Sequence, residues 1–376
     1  MRIVQVLPSA DRLYGGPVAI AEELCAGLRA ESHEAVIRAG RPATYALQRF
    51  LGGYWLSPTD RINLRTAITW SDLVHVHGAW NIPATVAIRL AAHAGKGIVF
   101  TPHGMLRSWA RNQGRLKKRV YFEFVERENL RCVHRIQFNN ANEVEEACNL
   151  GITAKTAVIP NGVDWERWQD LPPRETLRAR LPAVQGKVVG LFLSRIAHQK
   201  GLDLLLESLT REFCQRTNLY LVVAGTDGGR YEARCRRMVA ERDLEDHVNW
   251  FGPAFDEDKR CLLGAADFFV LPSRGEGDSV AVKEALAAGI PVILSEACSL
   301  GEVVAEGAGI VTGYDQDLRA SIEYVASNKG RRRQMGEAAR RFAKTRLSAR
   351  SATIQTIEMY EQVIREVGSA PQTETR

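Results

Sequence analysis

The chain is 376 residues long, with 45% apolar and 25% charged residues and a formal net charge of +6 at pH 7. Such a chain can form two domains with a core each, and its composition excludes a disordered or fibrous protein. Its longest apolar runs have the length of strands, which argues against a membrane-spanning helix. The seven cysteines form no C-x-x-C pair. This argues against a disulfide framework or a zinc site and indicates a reducing, cytoplasmic environment.

The first half of the chain alternates strand patterns with helical patterns. The N-terminal segment MRIVQVLPS is typical of a buried strand and lacks the layout of a signal peptide, so we expect an unexported chain. Helical patterns such as PVAIAEELCAGLRA and IPATVAIRLAAHAG separate further apolar strands, which are AVIRAG, LVHVHG, GIVFTPHG and RIQFNN. This alternation predicts a parallel sheet wrapped by helices.

The second half repeats the alternation, with strands predicted at VVGLFLSR, LYLVVAG, HVNWFG, ADFFVLPS, PVILS and GAGIVTG. Residues 159–187 are rich in proline and turn formers and are interpreted as a linker. The predicted domains are 1–168 and 169–347, and an amphipathic helix at 348–367 is expected to pack back on the first domain. Residues 368–376 are expected to be disordered. The predicted fold class is therefore α/β, with two doubly wound Rossmann-like domains facing each other across a ligand-binding cleft.

Two strand-to-helix turns combine glycines or cations with the start of a helix. Gly15 and Gly16 precede a helix that opens with Pro17, and glycine lets backbone N–H groups approach a phosphate. The spacing does not match the dinucleotide fingerprint G-x-G-x-x-G, and a plain turn is the alternative. In SRIAHQKG, Arg195 ends a strand and Lys200 lies just before the next helix, an arrangement suited to a diphosphate. Two surface cations in an ordinary loop are the alternative here.

The stretch RGEGDSVAVKEALAAGIPV carries Glu276 just before a predicted helix and Glu284 inside it. If residues 276–284 were all helical, they would span about 12 Å, farther than the paired carboxylates of a glycoside hydrolase. That length suits a nucleotide-diphosphate-sugar, with one carboxylate on the sugar hydroxyls and the other on the ribose diol. The backbone N–H groups of Ser279 and Val280, at the helix start, would then face the pyrophosphate.

Histidines and acidic clusters were the remaining candidates for catalysis or metal binding. His103, in TPHGML, is predicted at the end of a first-domain strand and aimed at the cleft, where a catalytic and a structural role are both open. His75 and His77 share a strand face, but no third ligand is spaced for a metal site. Acidic residues at 256–258 and at 315–317 precede helices and are interpreted as helix caps. We therefore expect no metal ion and no cofactor.

Basic residues concentrate in two stretches of the chain. Nine basic and three acidic residues lie between Arg107 and Arg135, and eight basic and one acidic residue lie between Arg331 and Arg350. Such stretches can face nucleic acid, an anionic membrane or a phosphorylated substrate, or they can be solvated helix faces. No nucleic-acid-binding motif accompanies them, so no nucleic-acid partner is expected.

With these motifs in place, the chain resembles the retaining glycosyltransferases of family 4, which have the two-domain GT-B fold. The most specific element is EGDSVAVKEALAAGIPVI, which is similar to the family's E-x7-E signature, and the resemblance covers nearly the whole chain. Further matching motifs, in the expected order, are GGP, TPHGM, IPNGVD, SRIAHQKG, VVAGTDGG, NWFG and ADFFVLPS. A narrower resemblance, carried by HGAWNIPATVAIRLAA, TPHGML and RLKKRVYFEFVERENLR, is to members that build exopolysaccharide, capsule or lipopolysaccharide.

The resemblance implies a role for each candidate residue. By this resemblance, Glu276 would contact the donor sugar and Glu284 the ribose. Arg195 and Lys200 would bind the diphosphate, and Gly16 would approach it from the other domain. His103 would line the sugar pocket. The chain departs from the family at Asp278 and Ser279, where many members have an aromatic residue and a glycine. A carboxylate at position 278 would repel a pyrophosphate unless it faced sugar hydroxyls, which bears on the identity of the donor sugar.

The implied reaction is a metal-independent transfer of a hexose, with anomeric retention, from a nucleotide-diphosphate-sugar to a hydroxyl of a glycan acceptor. Arg195, Lys200 and the helix N-terminus would stabilise the charge that develops on the leaving diphosphate. The family resemblance suggests front-face attack. Because the basic stretch 107–135 also carries aromatic residues, we hypothesise that it meets the anionic inner leaflet and a lipid-linked glycan.

Other functions remain open at this point. A nucleotide-sugar epimerase of the same fold would consume the donor without any acceptor. A non-catalytic nucleotide-sugar-binding protein would bind the donor without turnover. A phosphorylase of similar fold would need a pyridoxal-binding lysine, for which no sequence context is found.

Overall fold

The computed structural model divides the chain into two compact units. One unit comprises Met1–Asn161 with Ala349–Arg376, and the other comprises Gly162–Ser348. The structure describes residues 1–12, 15–43, 53–112, 115–227, 230–314 and 316–369. The boundary that the sequence predicts at 168/169 lies inside the second unit.

The first unit is built on a parallel sheet whose strands follow the apolar runs of the sequence. The strands of this unit are β1 (Arg2–Leu7), β2 (Glu34–Ala39), β3 (Arg41–Pro42), β4 (Tyr54–Trp55), β5 (Leu73–His77), β6 (Gly97–Thr101), β7 (Arg135–Phe138) and β8 (Thr156–Val158). Six of them form the sheet in the order β2-β1-β5-β6-β7-β8, and β3 pairs with β4 in antiparallel fashion. The sequence predicts five of the six, whereas β8 is too short for its apolar pattern to stand out.

Helices connect these strands and begin where the local sequence can cap them. They are α1 (Gly16–Ala30), α2 (Pro58–Trp70), α3 (Ile82–His93), α4 (Ser108–Asn112), α5 (Arg115–Tyr121), α6 (Arg127–Arg131) and α7 (Ala141–Cys148), with a π-helical turn at Phe122–Glu126 between α5 and α6. Ser57 caps α2 in a reciprocal capping box with Asp60. Asn81 and Asn140 cap α3 and α7, and the side chain of each accepts the backbone N–H of the third helical residue.

The second unit has the strand order of a dinucleotide-binding sheet. Its strands are β9 (Val188–Leu193), β10 (Leu219–Ala224), β11 (Val248–Gly252), β12 (Phe268–Leu271), β13 (Val292–Ser295) and β14 (Gly309–Thr312). They pair in parallel in the order β11-β10-β9-β12-β13-β14. The chain thus runs outward from β9 to one edge and then from β12 to the other, which is the doubly wound arrangement. The prediction of two doubly wound units is confirmed.

The helices of the second unit flank this sheet. They are α8 (Arg174–Arg180), α9 (Leu202–Ser208), α10 (Arg211–Thr217), α11 (Tyr231–Glu241), α12 (Asp256–Ala265), α13 (Val280–Ala287), α14 (Glu302–Ala305), α15 (Gln316–Ala326) and α16 (Lys329–Arg346). The interpretation of residues 159–187 as a linker is wrong for most of their length. Val163, Trp168 and Leu177 are buried in the core of the second unit. Their apolar side chains outweigh the many turn formers around them, because burial of each large side chain stabilises the fold by about 1.5–3 kcal/mol.

The last helix, α17 (Ala349–Ser369), packs on the sheet of the first unit. Tyr360 and Val363 are fully buried there, and a side chain of Gly97 on β6 would lie 3.0 Å from Val363. The amide of Gln5 on β1 donates to the Tyr360 hydroxyl at 3.1 Å. The helix runs two residues into the segment predicted to be a disordered tail, and residues 370–376 lie outside the described residues.

The second basic stretch contains two arginines that bind groups of the second unit. Arg332 on α16 is mostly buried and lies 3.4 Å from Asp267, which precedes β12. Arg340 donates to the carbonyl of Ala288 at the end of α13. These two contacts fasten α16 to the second unit. Five other basic residues of the stretch are exposed, as the solvated-face alternative expects: Arg333, Arg341, Lys344, Arg346 and Arg350.

Gly201→Ala is expected to destabilise the second unit by about 3 kcal/mol. Gly201 precedes α9 with φ +72°, and a Cβ at this position would lie 1.9 Å from the carbonyl oxygen of Pro272. Urea unfolding, monitored by tryptophan fluorescence, measures the decrease in the free energy of unfolding. Gly301→Ala is the matched control, since φ there is −63° and a Cβ would meet no atom within 4 Å. Equal effects of the two substitutions would contradict the argument.

Candidate functional site

The loops that follow β9 and β12 meet at the point where the strand order of the second unit reverses. Ligands of doubly wound proteins bind at such a point, because neighbouring connections leave the sheet in opposite directions there. The backbone N–H of Arg274 donates to the carbonyl of Gln199 at 2.7 Å, and the Gln199 side chain donates to the carbonyl of Gly275 at 2.5 Å. The loop with Arg195 and Lys200 is thereby tied to the loop with Glu276.

Lys200 and Glu276 form a buried ion pair. The Lys200 ammonium lies 2.6 Å from one oxygen and 2.8 Å from the other oxygen of the Glu276 carboxylate. Only 11% of the lysine side chain and 5% of the glutamate side chain are exposed. The sequence places Lys200 on a diphosphate and Glu276 on a sugar, and the structure brings the two groups into direct contact.

Uncharged backbone and side-chain groups hold the Glu276 loop in place. The Glu276 N–H donates to the carbonyl of Ala297 at 3.1 Å, and the Tyr314 hydroxyl donates to the carbonyl of Ser273 at 3.1 Å. Cys298, next to Ala297, is buried and lies 3.5 Å from the carbonyl oxygen of Leu271. Burial, with a smaller contribution from the charge of Glu276, raises the pKa of its thiol to about 12. The thiol therefore stays protonated and is a packing group rather than a nucleophile.

Asp278 is paired with Lys283, a residue that the sequence analysis missed. The Lys283 ammonium lies 2.5 Å from an Asp278 carboxylate oxygen, and the lysine side chain is 2% exposed. From the sequence, a carboxylate at position 278 was expected to repel a pyrophosphate unless it faced sugar hydroxyls. The adjacent Lys283 ammonium offsets the charge on which that expectation rested. A lysine at a core-facing position in the apolar helix VAVKEALA was the signal that could have found this pair.

Glu284 is paired with Lys259 on α12. Both carboxylate oxygens lie 2.9 Å from the Lys259 ammonium. Burial raises the pKa of the Glu284 carboxyl, and the charge of Lys259 opposes that shift. The partner comes from another helix 25 residues earlier, so no local pattern in the sequence pointed to it.

Helix α13 begins at Val280, with Ser279 at its N-cap position. The Ser279 side chain makes no capping hydrogen bond, so the first backbone N–H groups of the helix receive no capping bond from it. Residues 276–279 are not helical. The 12 Å estimate, which assumed a helix through all of 276–284, therefore does not describe the separation of Glu276 and Glu284.

Arg195 differs from the other cations of the site in being exposed. It follows β9 and, within the part of the chain that the structure describes, makes no hydrogen bond or ion pair. Arg274, which the sequence analysis missed, is instead bound to Asp203 by two contacts of 2.7 and 3.0 Å. Asp203 is nearly fully buried in α9. Arg274 therefore serves the packing of the loop, and Arg195 is a cation available to a ligand.

In the first unit, the turn after β1 has the predicted form. Helix α1 begins at Gly16 with Pro17 in its first turn, and Gly15 has φ +96°. That conformation favours glycine, because a Cβ would clash with the backbone. Gly15 and Gly16 thus present an unobstructed helix start, while their role toward a ligand stays a prediction.

His103 lies just after β6, as predicted, and its backbone has φ +51°. Its Nε2 lies 2.8 Å from Nδ1 of His77, and its Nδ1 is buried without a hydrogen-bond partner in the described residues. Burial lowers the pKa of His103 to about 4, so its ring is neutral at neutral pH. His75 lies within hydrogen-bond distance of Tyr360 and Thr101, and His77 within that of Gln5.

The acidic clusters lie in first helical turns. Asp256–Asp258 occupy the first turn of α12, where Phe255 is the N-cap residue, so the interpretation as N-caps is wrong in detail. Negative charge there still complements the helix dipole. Asp315 lies outside the described residues, and Asp317 is in the first turn of α15. Within the described ranges, no group of three histidine, cysteine, aspartate or glutamate residues could hold a metal ion.

Two family models match the chain. The model described as Glycosyltransferase Family 4 matches residues 14–167, and the model described as Glycosyl transferases group 1 matches residues 173–342. Both matches agree with the family resemblance that the motifs indicate.

Individual relatives are 27–28% identical to the chain over the stretch that aligns. The GDP-mannose:cellobiosyl-diphosphopolyprenol alpha-mannosyltransferase of Xanthomonas campestris is 28% identical over 260 residues, which are 69% of this chain and 65% of that protein. The match thus spans just under two thirds of that relative's length. The lipopolysaccharide core biosynthesis mannosyltransferase LpsB of Rhizobium meliloti is 27% identical over 277 residues, 69% of this chain and 74% of that protein.

A solved structure confirms the fold class. HepE of Anabaena, in complex with UDP and glucose, superposes with a TM-score of 0.72, covering 96% of this chain and 99% of that one. The sequence identity is 17%, so this likeness speaks for the fold alone. The predicted GT-B fold is confirmed.

Removing one member of the Lys200–Glu276 pair should leave a buried, unpaired charge. We expect Lys200→Met to destabilise the second unit by about 3–5 kcal/mol, and the double variant with Glu276→Gln to lose clearly less. Urea unfolding of both variants measures this difference. Arg211→Met is the control, because its ion pair with Asp246 is exposed and long at 3.8 Å, and a change below about 0.5 kcal/mol is expected. Losses that simply add in the double variant would contradict the pairing.

Proposed function

Because the chain belongs to the family 4 glycosyltransferases, we propose that it transfers a hexose from a nucleoside-diphosphate-sugar to a hydroxyl of a glycan acceptor. The observation that carries the proposal is the Lys200–Glu276 ion pair, held beside the start of α13 where the strand order reverses. This arrangement combines an acceptor of sugar hydroxyls with two sources of positive potential for a diphosphate.

GDP-mannose is the donor that we propose. Two relatives carry mannosyltransferase in their names, and one name specifies GDP-mannose with a lipid-diphosphate acceptor. The proposed acceptor is accordingly a lipid-linked glycan in the synthesis of a bacterial surface polysaccharide. The Asp278–Lys283 pair adds a carboxylate that is charge-balanced and can therefore lie near a diphosphate without repelling it.

The leaving diphosphate would be stabilised by three groups of the second unit. Arg195 is exposed and can bind two phosphate oxygens with its guanidinium. Lys200 uses two contacts on Glu276, and its ammonium has three N–H donors, so one remains for a phosphate oxygen. The N-terminus of α13 adds its partial positive charge. Such preorganised charge acts directly on the bond-breaking step, and no metal ion or other cofactor is then required.

Retention of the anomeric configuration is part of the proposal. Glu276, Asp278 and Glu284 are each held by a lysine ammonium, which makes each a weaker nucleophile than a free carboxylate. Front-face attack, in which the departing phosphate takes the proton of the acceptor hydroxyl, needs no carboxylate nucleophile. Glu276 would then orient the sugar through its hydroxyls.

A donor screen tests the proposed reaction. The protein is incubated with GDP-mannose, UDP-glucose and other nucleotide sugars, with a lipid-linked glycan and without added metal, and nucleoside diphosphate release is measured. We expect release from GDP-mannose and a loss of about 100-fold in kcat for Arg195→Ala, because one stabilising group is removed from the transition state. Glu276→Gln should lose activity on the same donor.

Arg211→Ala, at an exposed arginine of the same unit, is the matched control and should keep full activity. Donor consumption without any acceptor would indicate an epimerase, and donor binding without turnover would indicate a binding protein. Either result would overturn the proposed transfer.

We further propose that the first basic stretch docks the protein on the anionic inner face of the cell membrane. Leu116, Val120 and Phe124 recur every four residues along α5 and the π-helical turn and are 78%, 51% and 76% exposed. Lys117 and Arg119 lie between them and are also exposed. An apolar stripe flanked by cations is typical of a helix that lies in the headgroup region.

The ends of this basic stretch are structural, which limits the membrane surface to its middle. Arg107 is paired with Glu146 at 3.0 Å, and Arg135 is paired with Glu366 at 2.9 Å. Among the described helices, none has the length and apolar character that crossing a bilayer requires. The proposed association is therefore peripheral.

Leu116→Ser with Phe124→Ser should reduce binding to vesicles containing anionic lipid at low salt by about tenfold or more, since apolar area is lost from the contact. Co-sedimentation with the vesicles measures the change. Ile62→Ser is the matched control, because Ile62 on α2 is 66% exposed but lies outside the stripe. Equal binding by wild type and the double variant would refute the docking surface.

A further inference from the structure

A continuous chain of hydrogen bonds joins His103 to the C-terminal helix α17. His103 Nε2 lies 2.8 Å from His77 Nδ1, and His77 Nε2 lies 2.6 Å from Gln5 Oε1. Gln5 Nε2 lies 3.1 Å from the hydroxyl of Tyr360. Gln5, His77 and Tyr360 are each at most 1% exposed, so water does not compete for these bonds.

A second branch leaves the same tyrosine. Its hydroxyl lies 2.5 Å from His75 Nδ1, and His75 Nε2 lies 2.7 Å from the hydroxyl of Thr101. Tyr360 therefore accepts a hydrogen bond from Gln5 and has its own proton to donate to His75. Every polar atom between Thr101 and His103 along this chain has a partner.

The side-chain amide of Gln5 fixes which atom donates and which accepts in each hydrogen bond from Gln5 to His103. An amide oxygen only accepts and an amide nitrogen only donates, so His77 must carry its proton on Nε2. A neutral imidazole then has a bare Nδ1, which can only accept. His103 must therefore donate from Nε2, and its own Nδ1 carries no proton.

Both rings are neutral at neutral pH, as this reasoning requires. Burial lowers the pKa of His77 well below its ordinary value, and the neighbouring histidines lower it further. Burial also lowers the pKa of His103 to about 4.

The series of hydrogen bonds ends at Nδ1 of His103. His103 Nδ1 is buried and has no hydrogen-bond partner in the described residues, although buried polar atoms are usually bonded. The backbone of His103 is in the left-handed region, at φ +51°, where a non-glycine residue is uncommon. A ring held in this conformation with one unsatisfied acceptor is suited to a ligand that brings a donor.

We propose that Tyr360, Gln5 and His77 are positioning residues that hold His103 as its Nε2–H tautomer, so that Nδ1 accepts a hydrogen bond from a hydroxyl of the sugar substrate. The second half of this statement rests on the proposed function. The C-terminal helix thereby contributes to substrate recognition through Tyr360 without touching the substrate.

The direction of the chain can be measured without any donor. Protein labelled with nitrogen-15 at histidine shows, in long-range proton–nitrogen NMR spectra, which ring nitrogen carries the proton, with His77→Gln and His103→Gln used for assignment. We expect Nε2–H for both rings in the wild type. In Tyr360→Phe the Gln5 amide loses its acceptor, and we expect both rings to become mixtures of the two tautomers.

Steady-state kinetics test whether His103 Nδ1 binds the substrate. They are measured with the nucleotide sugar that the donor screen identifies. Tyr360→Phe should lower kcat/KM by about fivefold, the effect of one hydrogen bond. The same substitution should have no further effect in a His103→Gln background, because the two residues act through one contact. Ser71→Ala is the matched control: it removes one buried hydroxyl bond from the same unit, to the carbonyl of Ile68 at 3.0 Å, and should leave kcat/KM and both tautomers unchanged.

The outcomes separate this proposal from the proposed function. A proton on Nδ1 of His103 in the wild type would overturn the direction of the chain, and an unchanged tautomer in Tyr360→Phe would overturn the role of Tyr360. If Tyr360→Phe does not fold, Gln5→Met replaces it, because this substitution removes the hydrogen bonds between Tyr360 and His77. The same changes in tautomer and in kcat/KM are then expected. Absence of turnover with every donor would overturn the proposed function and the use of Nδ1, while the tautomers would still decide the direction.

Discussion

Burying charge at the ends of β9 and β12 is the constraint on which the second unit depends. Lys200 and Glu276 are both removed from water, and either charge alone would destabilise the fold by several kcal/mol. The same condition is met at Asp278 with Lys283 and at Glu284 with Lys259. The paired lysines thus offset the charge of carboxylates near the start of α13, where we propose that a diphosphate binds and where unpaired carboxylates would repel it.

In the first unit, the buried polar groups at the carboxyl ends of β5 and β6 are neutral, so no charge has to be paired there. The side chains at the carboxyl ends of β5 and β6 include His75 and His77, whose rings are neutral because burial disfavours their charged forms. Their nitrogens are satisfied by Gln5, Tyr360 and Thr101, which are also uncharged. A sugar with its many hydroxyls matches neutral donors and acceptors, and a diphosphate matches cations. In the reaction that we propose, the neutral groups of the first unit would suit sugar hydroxyls, and the cations of the second unit would suit the diphosphate.

Exposure distinguishes the groups that serve the fold from those left for partners. Arg274 and Arg332 are mostly buried and each is paired with an aspartate, whereas Arg195 is exposed at the site. In the first unit, the exposed stripe that includes Phe124 lies between structural ion pairs at either end of its basic stretch. Counting cations along the sequence does not separate these uses, because the partner of each one lies elsewhere in the chain.

Strand and helix positions, the two doubly wound sheets and the family signature around Glu276 followed from the sequence, because apolar periodicity and turn chemistry act over a few residues. The pairing of the site's charges did not, since Lys200 and Glu276 are 76 residues apart and Glu284 meets Lys259 on another helix. The membership of Val163 and Trp168 in the second core was hidden for the same reason. Only the tertiary structure brings Gln5 to Tyr360, 355 residues later, and so decides the state of His103. Local patterns determine which elements form, and the packing of those elements determines which side chains meet.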